Sequence, residues 1–228
     1  MKKALILGGS KGIGNAFLKA SHANGYEAKT LGSVDVNTDK NPIFISTEIR
    51  KYISETVFDL LLLNTGGMPP LEFNELTVGD SAIYEKAFRM YFTSYIELLN
   101  LVSISTTAKV ILVSSHVIHN IEAPLAHSAA ARSACETFLN YLPSLLNKPS
   151  IEIHSLRFGP VLTERLSYLL EHTGRSIDSL ISKSPRSYVA DVNDVYNLAL
   201  FLTSPSSRIL GTRILNLDSG ISAAKITP

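Results

Sequence analysis

A glycine-rich turn between an apolar run and a helical pattern constrains the fold of this chain most. Residues 4–7 are all apolar, and Gly8, Gly12 and Gly14 follow directly. Glycine suits a tight turn and a close backbone approach because it has no Cβ and tolerates positive φ. A helix beginning after the turn directs its free N–H groups at any anion bound there. The order strand, glycine turn, helix therefore predicts a nucleotide-phosphate site, with a purely structural turn as the alternative.

Apolar runs and helical patterns alternate along the whole chain. Strands are predicted at residues 4–7, 26–31, 43–45, 60–63, 110–113, 151–157 and 214–217. Helices are predicted at residues 13–24, 48–55, 81–102, 128–146 and 192–203, with two short helices between 164 and 184. Repeated strand–helix–strand units form a parallel sheet with helices on both faces. The sequence thus predicts a single doubly wound α/β domain over residues 1–228.

Several element boundaries carry local signals. Gly25 can end the first helix in a left-handed conformation. Asp191 can cap the helix that begins after it, and Pro205 stops that helix. The segment 32–42 is barely long enough for a parallel crossover, which usually contains a helix. We therefore expect the helix between the second and third strands to be reduced or missing.

Composition excludes several classes of protein. The chain has 228 residues, of which 45% are hydrophobic and 18% charged, and its net charge of +1 gives no basic surplus for nucleic acid. Cys135 is its single cysteine, so an internal disulfide is impossible and a reducing compartment is expected. No apolar stretch has transmembrane length, and the start of the chain lacks a signal-peptide core. We expect a cytoplasmic protein with no membrane or nucleic-acid partner and no metal site.

Five motifs, in chain order, resemble those of the short-chain dehydrogenase/reductase family. They occupy residues 7–14, 64–67, 113–115, 158–163 and 218–220. The first matches T-G-x-x-x-G-I-G except that Leu7 replaces threonine, and the second reads N-T-G-G where N-N-A-G is common. The resemblance implies a Rossmann-type sheet of about seven parallel strands in the order 3-2-1-4-5-6-7. It also implies assembly into a homodimer or homotetramer.

The resemblance further implies a nicotinamide cofactor and a small-molecule substrate. Thr163 would bond the nicotinamide carboxamide, and it also suits the N-cap of the following helix. The cofactor-binding residues implied are Gly8, Ser10, Lys11, Gly12, Ile13, Gly14, Ser33, Asn64, Thr65, Gly66, Arg132, Gly159, Val161 and Thr163.

The choice between NADP and NAD depends on few residues. An acidic residue at the end of the second strand would favour NAD, but Ser33 follows that strand. Lys11 resembles the basic residue of NADP-using members, and a cation suits a 2′-phosphate. The sequence therefore favours NADP over NAD. A solvated Lys11, and Asp35 curling back to the ribose, are the alternatives.

The catalytic positions differ from the family pattern. The family uses a serine, a tyrosine 13 residues later and a lysine four residues beyond that. Here Ser115 is followed at those spacings by Ser128 and Arg132. The neighbouring His127 lies off the shared helix face, so Ser128 is the better match. Serine does not ionise near neutral pH, and arginine keeps its proton.

Three consequences of these replacements stay open. The protein could reduce a substrate that needs little proton help, such as a conjugated carbonyl. It could recruit an imidazole from His127, His116 or His119, since histidine titrates near neutral pH. It could also be a degenerate member that binds nucleotide without redox chemistry, in a regulatory or partner-binding role. Tyr91 replaces the family's structural asparagine and is a weaker candidate for the acid.

A substrate lid is predicted at residues 164–187. The alternative for this segment is ordinary amphipathic packing. The apolar side chains that suggest a lid are Leu166, Tyr168, Leu169, Leu170, Ile177 and Leu180.

Overall fold

Parallel strands form the centre of the molecule. The computed structural model describes residues 1–32, 47–71, 81–182 and 184–224. Its strands are β1 (Lys2–Leu7), β2 (Tyr26–Leu31), β3 (Val57–Leu63), β4 (Ser103–Ser115), β5 (Glu152–Phe158), β6 (Val161–Leu162), β7 (Ala190–Asp191) and β8 (Arg213–Leu217). Six of them form one sheet in the order β2-β1-β3-β4-β5-β8, in which every neighbouring pair is parallel. The short strands β6 and β7 pair separately.

Helices cover both faces of this sheet. They are α1 (Gly12–Ala23), α2 (Thr47–Ser54), α3 (Ser81–Phe88), α4 (Ser94–Leu99), α5 (Ala126–Leu145), α6 (Glu164–Thr173), α7 (Ile177–Ile181), α8 (Val192–Thr203) and α9 (Ile221–Ala224). A π-helical segment, Arg89–Thr93, joins α3 to α4. Helices α1 and α8 contribute to the core on one face, and α4 and α5 contribute to the core on the other.

The predicted α/β fold class is confirmed. In the numbering of the seven predicted strands, the six observed strands follow the expected order 2-1-4-5-6-7. The predicted strand at 43–45 lies outside the described residues, so the main sheet has six described strands where about seven were predicted. Most of the segment 32–42, where a reduced helix was predicted, also lies outside them.

The position of β3 between two layers of helices explains why its sequence is apolar without alternation. Leu61 and Leu63 belong to the core beneath α4 and α5, whereas Leu60 and Leu62 belong to the core beneath α1 and α8. All four side chains are fully buried. A strand covered on both faces needs apolar residues at every position, as the run of leucines predicts.

The local boundary signals are also confirmed. Gly25 follows α1 with φ of 78°. Asp191 Oδ1 accepts hydrogen bonds from the N–H groups of Asn193 (2.7 Å) and Asp194 (2.9 Å) at the start of α8. Pro205 begins a 3-10 segment just after α8 ends.

Candidate active site

The carboxyl ends of the parallel strands bring the sequence motifs to one edge of the sheet. Gly8 follows β1, Asn64 follows β3, Ser115 ends β4, Gly159 follows β5 and Asp218 follows β8. Ligands of open α/β sheets bind at this edge. The motifs that the sequence pattern singled out, separated by up to about two hundred residues along the chain, therefore share one side of the molecule.

The glycine turn is sterically required. Gly8 and Gly12 have φ of 65° and 56°, values that side chains strain. A Cβ on Gly14 would lie 2.0 Å from the carbonyl oxygen of Gly8, and a Cβ on Gly8 would lie 2.6 Å from that of Asn64. Asn64 Nδ2 in turn donates to the carbonyl oxygens of Leu7 (3.3 Å) and Gly8 (3.4 Å). The turn and the loop after β3 therefore hold each other in place.

The N-terminus of α1 suits an anion. Lys11 occupies its N-cap position with φ of −156° and provides no side-chain capping bond, and the first turn contains no acidic residue. Uncapped N–H groups and the positive end of the helix dipole attract phosphate. With the glycine turn in front of it, this end of α1 fits the pyrophosphate of a dinucleotide.

Lys11 contacts the start of the predicted lid. Its Nζ lies 2.9 Å from Oε2 of Glu164, and both side chains are largely exposed. Thr163 Oγ1 accepts a hydrogen bond from the N–H of Leu166 (3.3 Å), which confirms its predicted N-cap role. Arg165 Nη2 donates to the carbonyl oxygen of Gly67 (2.9 Å), so the first turn of α6 contacts both candidate nucleotide loops.

The other candidate cofactor residues occupy varied positions. Ser10 is exposed in the glycine turn, Ile13 is half-buried in α1, and Val161 is buried in β6. Gly159 approaches the backbone after β8 so closely that a Cβ would lie 2.8 Å from the Cα of Asp218. Ser33 and Asp35 lie outside the described residues. The assigned cofactor contacts of this set stay predictions.

Arg132 is held at the end of β4. Its Nε donates to Ser128 Oγ (3.2 Å), one helical turn earlier in α5, and its Nη1 donates to the carbonyl oxygen of Val113 (2.8 Å). Ser115 Oγ, two residues beyond Val113, accepts a hydrogen bond from the N–H of Val117 (3.4 Å). The end of β4 therefore connects the two serines and the arginine that the spacing singled out.

The three candidate histidines have different surroundings. His127 is fully buried, neither of its ring nitrogens has a hydrogen-bond partner among the described residues, and burial lowers its pKa. His116 is buried, with its Nδ1 3.0 Å from Asn120 Nδ2 and its Nε2 3.8 Å from Glu122 Oε1. His119 is exposed. A buried neutral imidazole is a weak acid at neutral pH, so the surroundings of His127 do not favour proton donation.

Sequence reasoning missed the contacts that fix the rim of the site. Asp218 accepts hydrogen bonds from the N–H groups of Gly220 (3.1 Å) and Ser222 (2.9 Å), and Ser222 Oγ accepts one from Asn120 (3.1 Å). Burial opposes ionisation of Asp218, but the bonds from Ser222 and Gly220 bring its pKa below the ordinary value. These bonds join the turn after β4 to the segment after β8. No local pattern could have predicted them.

The comparison of the sequence with protein families decides the family. Residues 10–222 match a family model described as enoyl-(acyl carrier protein) reductase. The chain belongs to the short-chain dehydrogenase/reductase family. The resemblance deduced from the five motifs is therefore confirmed at the level of the family.

Individual relatives of this short-chain dehydrogenase/reductase are distant. It is 22% identical to the 7α-hydroxysteroid dehydrogenase of Escherichia coli (strain K12) over 166 residues. That match covers 71% of this chain but only 63% of the relative, which is less than two thirds of the relative's length.

Solved structures of the same family share its fold. A short-chain dehydrogenase family protein from Francisella tularensis subsp. tularensis SCHU S4 aligns with a TM-score of 0.77 at 20% identity, over 98% of this chain and 99% of that one. A short-chain dehydrogenase from Burkholderia cenocepacia J2315, solved in complex with NADP, aligns with a TM-score of 0.77 at 18% identity, over 96% and 97%. A 7α-hydroxysteroid dehydrogenase complexed with NADH and 7-oxo glycochenodeoxycholic acid aligns with a TM-score of 0.75 at 18% identity, over 96% of this chain and 93% of that one.

Two further properties concern only the described part of the chain. None of its helices combines the length and the apolar character needed to cross a bilayer. Within residues 1–32, 47–71, 81–182 and 184–224, no three His, Cys, Asp or Glu side chains come together as a metal site.

Proposed function

We propose that this protein is an NAD(P)-dependent oxidoreductase that reduces a carbonyl or conjugated carbonyl group of a small molecule with an altered proton donor. The contact between Arg132 Nε and Ser128 Oγ (3.2 Å) carries the proposal. It orients the hydroxyl of Ser128, the residue that the motif spacing assigns to the position of the family's catalytic tyrosine. The proposal places hydrogen-bond donation where the family uses an ionisable acid.

The glycine turn and the loop after β3 would hold the nucleotide. The backbone of residues 8–14 and the uncapped N–H groups of α1 suit the pyrophosphate. Thr163 and Arg132 are proposed to bind the nicotinamide end. When bound, NADPH or NADH supplies a hydride to the substrate, and NADP is the form favoured by Lys11.

Two serine hydroxyls are oriented as donors by their protein partners. Arg132 has donors only, so Ser128 must accept from it, and the Ser128 proton is left for another acceptor. Ser115 accepts from the N–H of Val117 in the same way. Donors held in place beside a reacting oxygen stabilise the negative charge that develops on it.

This arrangement favours a conjugated carbonyl over a simple ketone. Reduction of a simple ketone leaves an alkoxide, which is strongly basic and needs a proton at once. Hydride addition to the β-carbon of a conjugated carbonyl compound instead leaves an enolate, a weaker base that hydrogen bonds from Ser115 and Ser128 can stabilise. Solvent then supplies the proton to carbon. The product has gained one hydride from the nucleotide and one proton from water.

The segment 164–187 is proposed as the substrate lid of a single Rossmann-type domain. Its helices α6 and α7 leave Tyr168 and Ile177 nearly half exposed, at 49% and 43%. Arg165 connects the lid to the loop after β3 through the carbonyl oxygen of Gly67. An exposed apolar face beside the nucleotide loops suits a small apolar substrate.

We further propose that the protein assembles as a homodimer or homotetramer through α4 and α5. Tyr141 and Leu145 on α5 are 62% and 64% exposed. Phe92, in the π-helical segment that precedes α4, packs edge to face against Phe138 of α5, at a centroid distance of 5.8 Å. Apolar residues on more than one side of a helix favour a second packing partner.

The second candidate is a degenerate member that binds nucleotide in non-redox chemistry or in a regulatory role. The environment of His127 favours this candidate, because a buried, unpaired imidazole with a lowered pKa offers no proton near neutral pH. Its nucleotide site would be the same as in the first candidate. Turnover, and not nucleotide binding, separates the two.

Calorimetry followed by a turnover assay tests the proposal. We expect NADPH or NADH to bind, and the bound nucleotide to be oxidised by conjugated carbonyl compounds under anaerobic conditions. Ser128→Ala should lower turnover by about a hundredfold while leaving nucleotide affinity unchanged. The absence of both binding heat and a thermal shift with either nucleotide at millimolar concentration would refute the nucleotide site. Tight binding without turnover on a broad carbonyl panel would establish the second candidate.

A further inference from the structure

The helix that faces the loop after β3 contains a π-helical segment. Helix α3 ends at Phe88, the segment Arg89–Thr93 has π-helical hydrogen bonding, and α4 begins at Ser94. The flanking residues Phe88 and Ser94 are themselves in the right-handed helical region, so the helix continues through the segment. A π-segment inserts a wider turn and changes which side chains face a neighbouring element, and such segments are frequent at functional sites.

Two tyrosines near this segment hold the loop after β3. Tyr91 is 1% exposed, and its hydroxyl oxygen accepts a hydrogen bond from the N–H of Met68 (2.7 Å). Tyr95, also 1% exposed, accepts one from the N–H of Thr65 (3.1 Å) and shares a hydrogen bond with Thr65 Oγ1 (2.9 Å). Both side chains therefore support the loop that the proposed function assigns to the nucleotide.

Tyr91 makes a second contact, which Tyr95 lacks among the aromatic and cation contacts of the described residues. The guanidinium carbon of Arg132 lies 4.1 Å from the centre of the Tyr91 ring. The same guanidinium group donates to Ser128 Oγ and to the carbonyl oxygen of Val113. The guanidinium group thus lies over an aromatic ring while it donates two hydrogen bonds. A planar guanidinium can do both at once, and a lysine ammonium cannot.

We propose that Tyr91 is the positioning residue of this site. Its ring fixes the plane of Arg132, and its hydroxyl fixes Met68, so one side chain joins the nucleotide loop to the arginine that orients Ser128. Tyr91 touches neither hydride nor substrate oxygen and acts through Arg132. The replacements at positions 91 and 132 then form a matched pair in which an aromatic ring accompanies arginine. The proposal rests on the proposed function for its effect on turnover, but the clamp itself can be tested without turnover.

Nuclear magnetic resonance of the Arg132 Nε–H group in the wild-type protein is the first test. An aromatic ring at this distance shifts the side-chain resonances of Arg132 upfield from their positions in the urea-unfolded chain. The hydrogen bond to Ser128 slows exchange of the Nε proton with water. Tyr91→Leu should abolish the ring shift and speed this exchange by about tenfold. Tyr91→Phe keeps the ring, so it should keep the shift while exposing the Met68 amide to faster exchange.

Tyr95→Phe is the matched control, because Tyr95 is equally buried and its hydroxyl supports the same loop. It should speed exchange at Thr65 and leave the Arg132 resonances unchanged. If Tyr91→Leu does not fold, the wild-type ring shift and the Tyr91→Phe result still decide the matter. Unshifted Arg132 resonances in the folded wild-type protein would overturn the proposal.

A double-mutant cycle tests whether Tyr91 acts through Arg132. Arg132→Lys should weaken nucleotide binding by about tenfold in the wild-type background and change it little in the Tyr91→Leu background. If Tyr91→Leu and Arg132→Lys each weakened nucleotide binding by an independent factor, so that the two factors multiplied in the double variant, the positioning role would be contradicted. If the clamp is seen by resonance but no carbonyl compound is turned over, the clamp stands and the oxidoreductase proposal fails.

Discussion

The nucleotide edge and the end of β4 differ in how their chemistry is encoded. At the nucleotide edge, the important groups are backbone atoms: the glycine turn, the N–H groups of α1 and the close approach of Gly8 to Asn64. At the end of β4, the important groups are side chains, and there we propose that Ser128 and Arg132 take the positions of the family's tyrosine and lysine. Backbone recognition tolerates little but glycine, whereas side-chain chemistry can be exchanged for another arrangement. The proposed function therefore keeps the family's pattern in the first region and changes it in the second.

The largest effect is expected from Gly14→Ala. The new Cβ would lie 2.0 Å from the carbonyl oxygen of Gly8, so the turn must move. We expect the free energy of unfolding to fall by about 3 kcal/mol and nucleotide binding to be lost. Gly66→Ala is the control, because its Cβ would meet no atom within 4 Å. Chemical denaturation of both variants measures the difference, and equal stabilities would contradict the account of the turn.

Replacement of Arg132 should have the next largest effect and tests the side-chain region. Arg132→Ala removes the donors to Ser128 and Val113, so the Ser128 hydroxyl loses its orientation. We expect turnover to fall by about a hundredfold and nucleotide affinity to fall with it. Arg132→Lys is the control that keeps the positive charge without the planar group. Steady-state kinetics and calorimetry on both variants measure turnover and nucleotide affinity. Undiminished turnover in Arg132→Ala would exclude Arg132 from the active site.

A smaller effect is expected at Lys11, in the glycine turn of the nucleotide edge. Lys11→Ala should weaken NADPH binding by about fivefold more than NADH binding, because NADPH alone offers a 2′-phosphate to the cation. Glu164→Gln removes the observed partner of Lys11 and should strengthen NADPH binding by about twofold. Titration of each variant with both nucleotides gives the ratios. Equal losses of the two nucleotides in Lys11→Ala would exclude the phosphate role.

The smallest effect concerns the pH dependence of stability. Burial lowers the pKa of His127 in the folded protein, whereas in the unfolded chain it is about 6.5. Below pH 6.5 the unfolded chain binds more protons, so stability is full above that pH and falls as the pH drops toward the folded pKa. His127→Asn should remove this part of the loss, at most about 1.4 kcal/mol per pH unit. Chemical denaturation across this pH range measures the difference, and identical stability curves for the wild-type protein and His127→Asn would contradict the burial of His127.

Local signals predicted some elements closely and left others out of reach. Helix α8 runs from Val192 to Thr203 as predicted, because its cap Asp191 and its terminator Pro205 are neighbours in the chain. The single helix predicted over 81–102 contains instead a π-helical segment, Arg89–Thr93, which the apolar periodicity did not predict. The pair Lys11 and Glu164 is separated by 153 residues and could not be deduced.

For the candidate site residues too, local spacing was informative and contacts between distant residues could not be predicted. Spacing placed Ser128 and Arg132 one turn apart on α5, and the structure joins them by a hydrogen bond. Spacing could not reveal that Tyr91 covers the Arg132 guanidinium, since that contact depends on how α5 packs against another helix. Two tyrosines four positions apart, at 91 and 95, were the available signal for a shared helix face.

The central claim is that hydrogen-bond donation by serine has replaced acid catalysis by an ionisable side chain. The most direct test is the single-turnover rate of hydride transfer from bound NADPH to a conjugated carbonyl compound, measured between about pH 6 and 8 for the wild-type protein and His127→Asn. The account predicts rates that are independent of pH and equal in the two proteins, since neither serine nor arginine titrates in this range. A wild-type rate that rises as the pH falls below about 6.5, with the rise lost in His127→Asn, would contradict it and identify His127 as the proton donor.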